Sequence, residues 1–236
     1  MRLTTVGVDA DDTLWHHETV FRLTQDLMAD LLSPFTDPTD LKAHLAEVEA
    51  KNLHFYGYGV KAFTLSMIET VLAFAGDRSA GVIREILAAG REMLTHPIET
   101  LPGVESTLKK LSKRYRLIVI TKGDLLDQER KVAASGLGDL FAAVEIVSEK
   151  NTAAYVRIFE RHGTGASEAA MIGNSLRSDV LPALAAGALA CWIPYPLVAV
   201  HEIADPPVGE PRFAELALIA DVPAWLEGWS SVVSPA

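Results

Sequence analysis

Short apolar runs and longer helical patterns alternate along much of this chain. Residues 2–9 read RLTTVGVD, a brief β-branched run bounded by polar positions, and this predicts a buried strand. Runs of the same kind recur at 116–121 (RLIVIT), 143–147 (AVEIV), 169–173 (AAMIG) and 189–193 (LACWI). Helical patterns fall between them. One spans 104–112 after Pro102-Gly103, a second spans 125–134 after Gly123, and a third spans 152–161 and stops before Gly163. Strands that alternate with helices predict βαβ units and an α/β fold, a doubly wound parallel sheet of Rossmann-like form.

The stretch between Trp15 and Thr100 breaks the rhythm, because it holds no strand pattern. It reads as four helices: 19–32, stopped by Ser33-Pro34; 39–51, opened by Asp37 and Pro38; a third in which Phe63, Met67, Val71 and Phe74 recur at helical spacing; and 79–94, stopped at Pro97. A helical block inserted after the first strand suggests a cap domain. The expected division is residues 1–15 and 100–236 for the α/β core and 16–99 for the helical cap. Beyond Asp205 the pattern gives a loop, a last strand near 216–220, and a helix opened by Asp221 and Pro223. No internal repeat or low-complexity linker interrupts the chain.

Composition narrows the function classes. Of 236 residues, 49% are hydrophobic and 22% charged, enough apolar surface for a packed core. The net charge of −10 disfavours a nucleic-acid surface, which needs clustered Lys and Arg. An anionic substrate then has to be drawn by a metal or a few placed lysines rather than by the overall field. The single cysteine, Cys191, cannot make an internal disulfide and sits in an apolar run that suits a buried thiol. Residues 180–201 carry no formal charge, but Pro182, Gly187, Pro194 and Pro196 interrupt them, so they read as a short helix and a buried strand rather than a membrane span. With no long apolar leader, the expected location is cytoplasmic.

The chemistry concentrates at strand ends. Asp9 closes the first apolar run, and residues two apart in extended chain share a side, so Asp9 and Asp11 are expected to face one pocket. Open α/β sheets bind ligands at the carboxyl ends of their strands. The same acidic stretch would also serve as a turn that caps a helix with Asp12 or Thr13. Thr121, Lys150 and Asp179 each follow an apolar run as well. Taken singly, each has an ordinary use: a strand end, a solvated lysine before an N-cap at Asn151, and a helix cap.

Together these residues resemble the haloacid dehalogenase superfamily. Its Asp-x-Asp-x-Thr motif is matched by Asp9, Asp11 and Thr13, its strand-closing Thr by Thr121, and its pre-helix Lys by Lys150. Its Gly-Asp-Ser-x-x-x-Asp loop appears here as Gly173-Asn174-Ser175-Leu176-Arg177-Ser178-Asp179, and Leu101-Pro102-Gly103-Val104 resembles the return from cap to core. The resemblance covers essentially the whole chain. It implies a magnesium-dependent phosphohydrolase with Asp9 as nucleophile and Asp11 as acid and base. Thr121, with the N–H groups of Lys122 and Gly123, would hold the phosphoryl group, and Lys150 would balance its charge. The Mg²⁺ ligands implied are Asp9, the carbonyl of Asp11, Asp179 and Asn174. Asn174 stands where the family often has Asp, which implies weaker Mg²⁺ binding.

Rival activities in the same superfamily are a 2-haloacid dehalogenase, which lacks the second motif Asp because a halide needs no proton, and a phosphomutase, which sequence does not separate. A non-catalytic binding module would be expected to lose Asp9, Asp11 or Lys150, and none is lost. The expected partner is a small phosphorylated metabolite, with no nucleic acid and no membrane. The apolar cap helices leave room for a homodimer. In the cap, Tyr58 and Lys61 are candidate substrate contacts, although Gly57 and Gly59 around Tyr58 also read as a plain turn before a helix. His16 and His17 read as hinge or surface residues, Trp15 as a hinge packer, and Arg177 as a partner for a carboxylate.

Overall fold

A computed structural model of the chain describes residues 3–232. Arg2, expected in the leading strand, lies outside the described residues. In chain order the first elements are β1 (Thr5–Val8), α1 (Glu18–Leu32), α2 (Pro38–Tyr56), α3 (Val60–Ala75) and α4 (Ser79–Thr95). They are followed by α5 (Val104–Leu111), β2 (Arg116–Lys122), α6 (Leu125–Ala134), β3 (Ala143–Val147), α7 (Thr152–His162) and β4 (Ala169–Gly173). The chain ends with α8 (Leu181–Ala185), β5 (Leu189–Trp192), β6 (Phe213–Glu215) and α9 (Val222–Val232). These elements form two compact units. One holds Met1–His16, Ile98–Lys122 and Glu129–Ala236; the other holds His17–Pro97 and Gly123–Gln128.

The first unit is a six-stranded parallel sheet in the order β3-β2-β1-β4-β5-β6. Alternate residues of each strand serve opposite faces. Val6, Val8, Leu117, Val119, Ala170 and Ile172 pack with α5 and α9 residues such as Leu108 and Leu226. Ile118, Ile120 and Met171 pack with Tyr155, Ile158 and Phe159 of α7 and with Leu184 of α8. Helices therefore cover both faces, the doubly wound α/β architecture that the alternating pattern predicts. Gly7 lies on this second face. A Cβ there would lie 2.7 Å from Ile120 Cδ1 and 3.1 Å from Met171 Sδ, so a side chain at this position requires Ile120 to shift.

Past β1 the backbone leaves the extended form. The Leu14 N–H donates to the Ala10 carbonyl at 2.8 Å, and Asp12 takes a left-handed φ of 59°. The chain then pairs with its own return: the His16 N–H donates to the Glu99 carbonyl at 3.1 Å and the Leu101 N–H to the Leu14 carbonyl at 2.9 Å.

The last strand differs from its expected place. It is β6, Phe213–Glu215, paired with β5, while the apolar run 216–220 turns through Ile219–Asp221. In that run Ile219 is buried and Leu218 is 58% exposed, so one residue plugs the core and no strand face forms.

The second unit is a helical bundle around Met28, Leu32, Leu41, Leu45, Phe63, Met67, Val71 and Ile86. Phe74, which shares the helical spacing of Phe63, Met67 and Val71, is half-buried against it. Asp37 caps α2, accepting from the N–H groups of Thr39 at 2.8 Å and Asp40 at 3.1 Å. α2 runs past the expected 51 to Tyr56 and stops at Gly57, whose φ of 68° cannot continue a helix. No helix among the described residues is long and apolar enough to cross a membrane.

Candidate active site

The strand order reverses between β1 and β4, and the residues that leave these two strands stand side by side. The Asp9 N–H donates to the Ile172 carbonyl at 2.9 Å, which fixes Asp9 one step beyond β1 and level with the end of β4. A sheet of this topology opens its crevice at that point. Asn174 follows β4, Thr121 lies near the end of β2, and Lys150 lies beyond β3, directly before Asn151, whose side chain caps α7 by accepting from the Ala154 N–H at 2.9 Å.

Lys150 is the central cation. Its ammonium contacts Asp9 Oδ1 and lies 2.7 Å from Asp179 Oδ1, and all three residues are buried. Burial alone would lower the lysine's pKa; Asp179 and Asp9 outweigh it and raise it. Burial, followed by the charge of Asp179, pushes Asp9 up to about 7 against the opposing pull of Lys150. Asp179 also accepts the Ser175 N–H at 3.0 Å, and a side chain on Gly173 would collide with it. Burial raises the Tyr155 phenol, which stays a neutral donor to the Ser178 carbonyl at 2.9 Å.

A second pocket lies on the other oxygen of Asp9. One terminal atom of the Asn174 amide is 3.0 Å from Asp9 Oδ2, 3.2 Å from the Asp11 carbonyl oxygen and 3.2 Å from Thr13 Oγ1. Thr13 in turn donates to Asp9 Oδ2 at 3.0 Å. With the amide oxygen inward, three oxygens converge. Cis ligands around an octahedral ion held at about 2.0–2.1 Å lie roughly 3 Å apart, and the amide atom's separations from Asp9 Oδ2 and from the Asp11 carbonyl have that spacing. The donor set fits Mg²⁺, with one neutral amide where a carboxylate would bind more tightly. No group of three or more Asp, Glu, His or Cys side chains among the described residues could hold a metal, so a site here needs the backbone carbonyl and the amide.

Asp11 departs from expectation. Its carboxylate accepts from Lys131 Nζ at 3.0 Å on both oxygens and from Trp15 Nε1 at 2.8 Å. Its charge contributes to the raised Asp9 pKa. The two-residue alternation that would align the carboxylates needs extended chain, and the turn at Ala10–Leu14 removes it.

Thr121 is buried, and its hydroxyl donates to the Lys122 carbonyl at 3.3 Å. The Lys122 ammonium lies 2.6 Å from Glu202, 2.8 Å from Ser178 Oγ and 3.7 Å from Glu149. Glu202 also accepts from Ser175. Burial works against the ionised Glu202, but Lys122 and the two serines hold its carboxyl down at about 2. Lys122 and Glu202 thus tie β2 to the Ser175–Asp179 loop.

Most of the remaining candidates belong to the helical unit or face solvent. Gly123 groups with that unit, as does Lys61, whose ammonium lies 2.8 Å from Asp124 Oδ1. Tyr58 is half-buried in the bend between α2 and α3. Arg177 is exposed and forms no ion pair among the described residues, unlike the carboxylate pairing expected of it. His16 bonds Tyr195 at 2.6 Å, and the His17 ring lies 4.6 Å from that of Phe21. Trp15 is buried in the core unit and itself bridges to Thr100, where the chain leads out to 17–97 and back.

Lys131 and Glu202 are the residues that sequence reasoning missed. Lys131 sits in a run of charges (Glu129-Arg130-Lys131) that resembles a solvated helix face, and Glu202 sits in an irregular segment without a motif.

Comparison with known proteins gives a consistent picture. The model of the haloacid dehalogenase-like hydrolases matches residues 3–187. A haloacid dehalogenase-like family hydrolase from Xanthomonas campestris is 37% identical, with a TM-score of 0.87 over 98% of this chain and 93% of its own. Two further structures share the fold at lower identity. A 2-haloacid dehalogenase from Pseudomonas syringae pv. tomato is 23% identical, with a TM-score of 0.65 over 96% of this chain and 99% of its own. The HAD-hydrolase YfnB from Bacillus subtilis, bound to magnesium, is 18% identical, with a TM-score of 0.64 over 96% and 99%. No curated protein matches the chain. With the family's motif residues gathered at the carboxyl ends of its strands, this chain belongs to the haloacid dehalogenase-like hydrolases.

Proposed function

We propose that the protein is a magnesium-dependent phosphomonoesterase acting on a small phosphorylated metabolite through an aspartyl-phosphate on Asp9. The carrying observation is the convergence of Asp9 Oδ2, the Asp11 carbonyl and the Asn174 amide beside a lysine-clamped carboxylate. Attack on a carbon–halogen bond needs no cation site, and a halide leaves without a proton. An oxygen trio and a second motif carboxylate both suit a phosphoryl group.

In this reading Asp9 attacks phosphorus through one carboxylate oxygen, and the ester P–O bond breaks. The leaving oxygen takes a proton from Asp11, whose carboxyl Lys131 and Trp15 hold in place. Water then attacks the acyl-phosphate with Asp11 as base, releasing inorganic phosphate and regenerating Asp9. Lys150 offsets the charge that builds on Asp9, and Thr121 with the N–H groups of Lys122 and Gly123 holds phosphoryl oxygens. Asp9, Asp11, Asn174 and, behind them, Asp179 would hold the magnesium ion, which when bound neutralises charge on the transferred group. The helical unit, carrying Tyr58 and Lys61, serves as a cap that selects the leaving group.

The test is a panel of phosphorylated metabolites and 2-haloacids, assayed with Mg²⁺ and with chelator. Metal-stimulated phosphate release, abolished by Asp9→Asn, is the expected result. Halide release without phosphate release would replace this reading with dehalogenation.

A further inference from the structure

We propose that Asn174 makes the cation pocket self-closing: its carboxamide turns its NH₂ inward to hold the pocket together when no cation is bound, and turns its oxygen inward to bind one. The inference rests on the cation part of the proposed function, not on the identity of the substrate.

The geometry is specific. The inward amide atom has three neighbours that accept hydrogen bonds: Asp9 Oδ2 at 3.0 Å, the Asp11 carbonyl at 3.2 Å and Thr13 Oγ1 at 3.2 Å. As nitrogen, it satisfies these acceptors without any ion. The amide's outer terminal atom faces only donors, which also suits the oxygen-outward orientation. As oxygen, the inward atom faces a carboxylate and a carbonyl, an arrangement that a cation between them makes favourable. The two states differ by a half-turn of the amide. Lys150 is not a substitute for this switch, because its contacts are to the other oxygen of Asp9 and to Asp179.

An aspartate at this position could not close the pocket. It would present acceptors to acceptors and place a further negative charge beside Asp9. Asn174→Asp should therefore be less stable without a cation and bind one more tightly, while the natural asparagine exchanges some affinity for a pocket that stays intact when empty.

The experiment compares the natural chain, Asn174→Asp and Asn174→Ala by calorimetric titration with Mg²⁺ and by melting in chelator and in Mg²⁺. Asn174→Asp should bind Mg²⁺ at least tenfold more tightly, melt below the natural chain in chelator, and recover on Mg²⁺ addition. Asn174→Ala should melt lower in chelator and not recover. A second measurement uses the natural chain alone. The Asn174 NH₂ resonances, assigned by their loss in Asn174→Ala, should be protected from exchange in chelator and shift on titration with Mg²⁺. Equal Mg²⁺ affinity in Asn174→Asp and the natural chain, or an unprotected NH₂ in chelator, overturns the inference. Absence of Mg²⁺ binding by both the natural chain and Asn174→Asp instead overturns the cation part of the proposed function. None of these readouts depends on turnover.

Discussion

Asp11 accepts two hydrogen bonds from Lys131 and one from Trp15, and this clamp sets where its carboxylate can go. If Asp11 is the acid for the leaving oxygen, Lys131 is a positioning residue for it. Lys131→Met should then lower turnover by roughly 10² on alkyl phosphates, whose leaving oxygen needs a proton. The loss should be much smaller on p-nitrophenyl phosphate, and Lys131→Arg should restore most of it. An equal loss on both substrates would reduce Lys131 to a structural ion pair. Sequence carried this site unevenly at the level of single residues. Asp9, Thr121 and Lys150 are legible because each follows an apolar run that pins it to a strand end. Lys131 is not, since its role depends on α6 lying against the Asp11 turn, a tertiary fact that leaves no local trace.

Among the secondary elements, β1 is short and its central residue has no side chain. Gly7 lets Ile120, Met171 and Phe159 close over the strand. Gly7→Ala should cost about 1–3 kcal/mol by overpacking, measured by denaturant unfolding, because its Cβ would meet Ile120 Cδ1 at 2.7 Å. Unchanged stability would show that Ile120 yields freely. Strand alternation and the helix stops at Pro97 and Gly163 made most elements legible, since these signals are local. β6 was misplaced because 216–220 is apolar enough for a strand, yet its neighbour Phe213–Glu215 holds the hydrogen-bonding edge of β5.

Among the described residues, burial disfavours the charge of Asp9 in one unit and of Glu18 and Glu49 in the other. Burial and then Asp179 push Asp9 to about 7, and burial followed by Glu18 pushes Glu49 to about 7 against the pull of Arg22. An acid with a raised folded-state pKa stabilises the fold fully below its unfolded pKa, 3.8 for Asp9 and 4.5 for Glu49. That contribution is lost as pH rises through the folded value. Melting temperature should therefore fall between pH 5 and pH 8 in chelator. Glu49→Gln should recover about 1–3 kcal/mol at pH 8 and little at pH 5. A loss with Glu49→Gln at pH 8 would contradict the shift. The net charge of −10 is legible from composition, but which carboxylates are buried depends on packing.

The rung between His16 and Glu99, with Leu14 and Leu101 beside it, has a consequence for how such a protein can be rebuilt. Residues 17–97 depart and come back through adjacent positions shortly after β1, a central strand of the sheet. Exchanging that whole passage for a different insert, or for a tight loop, requires no new path through the parent scaffold, so the sheet unit and the residues at its strand ends can be kept while the insert changes.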